Sequence, residues 1–139
     1  MASAVAAAFR DKGFEAGAIV ARNPDTGGRL AERLGYRYAA EASDGADIVV
    51  NVTPIGMAGG VEADDLSFAP EVIAKAHTVF DVVALPSETP LVRAARAAGI
   101  PVITGAEVIA LQAAEQFERY TGVRPTAAQV AAASAFSRA

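Results

Sequence analysis

Short apolar runs alternate along the chain with alanine-rich stretches of helical spacing, and glycines or threonine–proline pairs separate nearly every run from the next. That order predicts strand–helix units and a mostly parallel sheet, because parallel neighbours need a crossover helix between them. The apolar runs predict strands over residues 17–21, 36–39, 46–52, 78–83 and 100–103. Helices are predicted over 2–12, 29–34, 70–76, 91–98, from Thr104 to about residue 121, and from Thr126 onward. Gly13, Gly35, Gly99 and Gly122 stand where left-handed caps end helices. Thr89-Pro90 supplies an N-cap and a first-turn proline, while Thr104…Glu107 and Thr126…Gln129 have capping-box spacing. The segment 22–25 reads as a turn after the first strand, and the glycine-rich acidic stretch 58–70 as a mobile connection.

The run Ile48-Val49-Val50-Asn51-Val52-Thr53-Pro54-Ile55-Gly56-Met57 is the most informative of these. An apolar strand stops there in a polar turn, and open parallel sheets bind ligands at such carboxyl ends. Asn51 and Thr53 are therefore candidate ligand contacts, with local turn hydrogen bonding as the alternative for both.

Composition narrows the class. With 139 residues and 53% hydrophobic content the chain has the size of one domain. A net charge of −4 with interspersed basic residues excludes the basic footprint of a nucleic-acid binder. Cysteine is absent and there is one histidine, His77, which removes disulfides, thiolate metal sites and most zinc chemistry; no metal is expected. The apolar start, residues 2–9, lacks a basic flank and a membrane-spanning length. It reads as a packed helix of a cytoplasmic protein with no membrane partner. Glu62, Asp64 and Asp65 read as a solvated loop, and Phe117 and Tyr120 as packing residues on one helix face.

A doubly wound dinucleotide domain opens with a strand and a GxGxxG turn before its first helix, whereas this sequence opens on the helix. The expectation is a partial domain over 1–139: the first, central strand and its glycine-rich loop are lacking. Each buried group left unpaired by such a loss costs roughly 1–3 kcal/mol, so domain swapping, a homodimer or marginal stability is expected.

Four segments, taken together, resemble the carboxyl-terminal cofactor half of shikimate dehydrogenases, nearest the shikimate dehydrogenase-like branch. Asn51-Val52-Thr53-Pro54-Ile55-Gly56-Met57 is similar to the family's Asn-Ala-Thr-Pro-Leu-Gly-Met turn. Ala21-Arg22-Asn23-Pro24 stands for its Asn-Arg-Thr-Pro, and Phe80-Asp81-Val82-Val83-Ala84-Leu85-Pro86 with Thr89-Pro90-Leu91 for its Tyr-Asp-Val-Val-Tyr-x-Pro and Thr-Pro-Leu. Gln112-Ala113-Ala114-Glu115 through Phe117, with Tyr120-Thr121-Gly122, resembles its final Gln-Ala-Ala-x-x-Phe…Trp-Thr-Gly.

The resemblance implies a Rossmann-like α/β fold with carboxyl-terminal helices and reversible NADP-dependent reduction of 3-dehydroshikimate to shikimate, a step of aromatic amino acid biosynthesis. The family's proton-transferring lysine and aspartate lie on an amino-terminal substrate domain, so no catalytic residue is expected in this chain. The implied cofactor contacts are Arg22, Asn23, Asn51, Thr53, Val82, Gly105 and Val108; Arg22 stands where an arginine accommodates the 2′-phosphate of NADP. Gln112 falls on the substrate-binding glutamine. Ala84 replaces a substrate-touching tyrosine, a loss of one hydrogen bond worth about 0.5–1.5 kcal/mol, which makes quinate or a related cyclohexene carboxylate an alternative substrate. The other alternative is a non-catalytic nucleotide-binding or oligomerisation module.

Overall fold

A computed structural model describes residues 1–43 and 45–137. The chain runs through α1 (Ala2–Asp11), β1 (Ala18–Val20), α2 (Pro24–Leu34), β2 (Arg37–Ala39), β3 (Ile48–Asn51), α3 (Pro70–Lys75), β4 (Thr78–Asp81), α4 (Pro90–Ala97), β5 (Val102–Thr104), α5 (Gly105–Thr121) and α6 (Ala127–Phe136). Strand pairing is parallel throughout the described residues, in two pieces: β1 with β2, and β3–β4–β5 in that order. Helices α2, α3 and α4 are the crossovers between the paired strands, as the alternation in the sequence requires.

Register and pleat together place the core. Val49 faces Val79, which faces Val102, and two residues on Asn51 faces Asp81, which faces Thr104. Because side chains alternate between faces, both rows lie on one side of the three-stranded sheet. The apolar row packs with Val72 and Ile73 of α3 and Leu91 and Ala95 of α4, all buried. Each fully buried valine or leucine there contributes about 1.5–3 kcal/mol. On the opposite face Val50 and Phe80 are only half-buried, and Ile103 is exposed.

Four expectations need correction. Helix α1 forms and ends at Asp11, two residues before Gly13 (φ +89), but none of its residues is buried; alanine methyls remove little area from water, and a cavity lies between it and Phe80 of β4. Helix α2 begins at Pro24, earlier than expected, because the Asn23 side chain caps it, accepting from the amides of Asp25 (3.0 Å) and Thr26 (3.1 Å). Strand β5 starts late because the Ile100 amide donates to Ala95 O at 2.9 Å, completing the cap of α4, and Pro101 has no amide hydrogen. The 58–70 connection is a chain of turns tied down at several points, with Ala58 N donating to Leu85 O (2.9 Å) and Gly56 N to Glu62 O (2.9 Å).

Candidate functional site

At the carboxyl edge of β3 and β4 the polar row becomes a buried network. Asn51 Nδ2 donates to Asp81 Oδ1 (3.1 Å) and to Ile55 O (3.2 Å). Asp81, fully buried, also accepts from the Val83 amide (3.0 Å) and, on its other oxygen, from the Thr89 hydroxyl (2.6 Å). Thr89 in turn caps α4 by accepting from Val92 N at 3.1 Å. A buried carboxylate is tolerable only with such donors, and here both oxygens have them. One carboxylate thus holds together the ends of two strands and the start of a helix.

The turn after β3 is seated on this network. Asn51 Oδ1 accepts from the amide (3.0 Å) and hydroxyl (2.7 Å) of Thr53, whose Oγ1 accepts from Ile55 N (3.2 Å). Gly56 has φ +86, and a Cβ there would lie 3.2 Å from Thr89 Cβ and 3.3 Å from Pro90 Cδ. The side chains of Asn51 and Thr53 are therefore engaged in building the turn, the local role that the sequence offered as the alternative for both.

Val82, Gly105, Val108 and Gln112 come together. They line a cavity of about 340 Å³ whose other walls include Phe80 of β4, Ile109 of α5 and the α1 residues Ala4, Val5 and Ala8. Gly105 is required by packing: a Cβ there would stand 2.4 Å from Val82 O and 2.5 Å from Val83 O. Its lack of a side chain lets α5 start directly against the exit of β4, with Thr104 capping and Glu107 closing the capping box. Ala84 is half-buried two residues beyond Val82, just before the cis Leu85–Pro86 bond.

Arg22 and Asn23 lie apart from that cavity, at the carboxyl end of β1. The Arg22 side chain is 75% exposed and forms a two-pronged ion pair with Glu62, in which Nη2 meets Oε1 and Nη1 lies 3.4 Å from Oε2. The hydrogen bond and charge of Glu62, with a smaller contribution from Asp65, raise the arginine pKa above its ordinary value. Asn23 has its side-chain oxygen committed to the α2 cap.

Asp81 and Glu62 hold roles that no local pattern assigned, and Thr89, read as a helix cap, caps α4 and also donates to Asp81. Asp81 was visible as a lone carboxylate inside an apolar strand, and Thr89 as a cap; nothing local to Glu62 announces Arg22. His77 has an acidic partner, Asp47, whose Oδ1 lies 3.0 Å from its Nδ1, an exposed pair brought together by the parallel start of β3 and β4.

No family model matches the chain. It is 52% identical over 139 residues to the shikimate dehydrogenase-like protein of Haemophilus influenzae, covering 99% of this chain and 51% of that one. The structure of a shikimate 5-dehydrogenase-like protein superposes with TM-score 0.96 at 51% identity, over 100% of this chain and 52% of the other. The chain belongs to the shikimate dehydrogenase family. Thermus thermophilus shikimate 5-dehydrogenase in complex with NADP(H) and shikimate superposes at TM-score 0.77 with 29% identity, over 94% of this chain and 49% of that one. Quinate dehydrogenase from Corynebacterium glutamicum in complex with NAD does so at TM-score 0.76 with 27% identity, over 92% and 49%. The chain spans about half the length of the curated relatives it matches. Its parallel α/β architecture is the Rossmann-like one of these shikimate dehydrogenase structures.

Proposed function

We propose that this chain is the NADP-binding part of a shikimate dehydrogenase-like oxidoreductase, acting on 3-dehydroshikimate and shikimate. The observation that carries the reading is the convergence of Val82, Gly105, Val108 and Gln112 on one largely apolar cavity beside the β4 exit. An exposed guanidinium stands at the end of β1, where such folds meet the adenosine ribose. These groups suit the two ends of the cofactor: a planar, permanently charged guanidinium for a phosphate, and apolar walls for a flat ring. NADP(H) supplies the hydride when bound. Val82 and Val108 would flank the nicotinamide, Gln112 would offer its amide to a substrate hydroxyl, and the backbone at Asn51–Thr53 would line the floor. Arg22 would select the phosphorylated ribose, with Asn23 holding the α2 terminus beside it.

Calorimetric titration of NADPH and NADH tests this, with NADPH the tighter ligand. Absence of heat from either nucleotide overturns it and favours a non-catalytic module. A second reading, in which quinate or a related cyclohexene carboxylate is the substrate, is favoured by the short side chain of Ala84. In the presence of NADP, tighter binding of quinate than of shikimate would select it.

A further inference from the structure

We propose that Glu62 occupies the anion site of Arg22 from within the chain, so that it sets the preference between phosphorylated and unphosphorylated dinucleotides; this rests on the cofactor reading above. The two residues are forty apart in sequence, and both carboxylate oxygens face the guanidinium in the fork geometry that a phosphate would use. Glu62 does not reach Arg22 by chance of a floppy loop. Its own carbonyl accepts from Gly56 N at 2.9 Å, and Asp65 N approaches the same oxygen at 3.3 Å. The loop is anchored again where Ala58 N donates to Leu85 O at 2.9 Å. The carboxylate is therefore presented from a tied backbone, and its side chain is only 29% exposed, against 75% for Arg22.

Two consequences distinguish this arrangement from an ordinary surface ion pair. A 2′-phosphate reaching Arg22 has to displace a like-charged group already bound there, whereas a 2′-hydroxyl does not compete for the charge. Displacement also releases the carboxylate of a residue whose backbone oxygen holds the Gly56 amide, so the adenosine end of the cleft and the turn at 51–57 meet at one residue. Exposed ion pairs are weak, so the opposing effect amounts to about two- to five-fold in affinity.

Calorimetric titration of NADPH and NADH into the chain, into Glu62→Gln and into Asp65→Asn tests the proposal. Glu62→Gln should bind NADPH about two- to five-fold tighter with NADH unchanged, and Asp65→Asn should alter the ratio less. An unchanged NADPH/NADH ratio in Glu62→Gln, or an equal change in Asp65→Asn, overturns it while leaving the cofactor reading standing. Failure of every protein to bind either nucleotide overturns both. If Glu62→Gln does not fold, the unsubstituted chain decides: adenosine 2′,5′-bisphosphate should speed cleavage after Glu62 by a glutamate-specific protease relative to AMP, and equal rates overturn the proposal.

Discussion

Asn51 Nδ2 lies 3.1 Å from Asp81 Oδ1, and the two residues are also direct partners in the parallel register of β3 and β4. Strand pairing alone would bring their backbones together; the side-chain bond locks the two strand ends at the same height. Through Thr89 the lock extends to α4, and through Thr53 to the turn after β3.

Replacing Asp81 with Asn keeps the shape but puts an amide where the Thr89 hydroxyl needs an acceptor. A loss of about 1–3 kcal/mol is expected, read as a lower urea midpoint at unchanged slope. Thr89→Val removes both that donor and the α4 cap and should cost about 2 kcal/mol in the same measurement.

The adjacent glycines of α2 should respond in opposite directions. A Cβ on Gly27 would stand 2.8 Å from Ala21 Cβ and 2.9 Å from the Tyr38 ring, while one on Gly28 meets nothing within 4 Å. Gly28→Ala should therefore stabilise by about 0.5–1 kcal/mol through helix propensity, and Gly27→Ala should destabilise by about 1–3 kcal/mol through overpacking. Thermal unfolding of the pair checks the sign.

Gly105→Ala places a methyl against the backbone carbonyls of Val82 and Val83, which have no side-chain freedom with which to yield. Helix α5 has to move off the end of β4, and a loss of about 2 kcal/mol or more is expected together with weaker nucleotide binding. Retained stability and retained affinity would show that the contact relaxes at no cost.

Arg22→Ala should weaken NADPH by about ten-fold or more, the scale of a lost charge-assisted hydrogen bond, with much less effect on NADH. Equal loss for both nucleotides would place the phosphate elsewhere. Arg22→Lys should recover only part of the preference, since a point charge lacks the two-pronged geometry.

The order and type of the elements, the parallel pairing and most helix ends are legible in the amino-acid order alone, because caps such as Thr89-Pro90, Thr104…Glu107 and Gly35 act within a few residues of where they are written. The family motifs also pointed to Val82, Gly105, Val108 and Gln112, which line one cavity. The Asn23 cap was equally local, yet Arg22-Asn23-Pro24-Asp25 has the composition of a turn as much as of a helix start, and the side-chain bonds to the amides of Asp25 and Thr26 decide between them. The remaining features arise only on folding, because they depend on register and on distant partners. The face that Asn51 and Asp81 share follows from which strands pair and at what offset, and the incomplete cover over Val50, Phe80 and Ile103 from where α1 and α5 settle. The Arg22–Glu62 contact depends on how a turn-built loop folds back over forty residues. Charges on a surface carry no local signature of their partners, so that pairing exists only once the chain has folded.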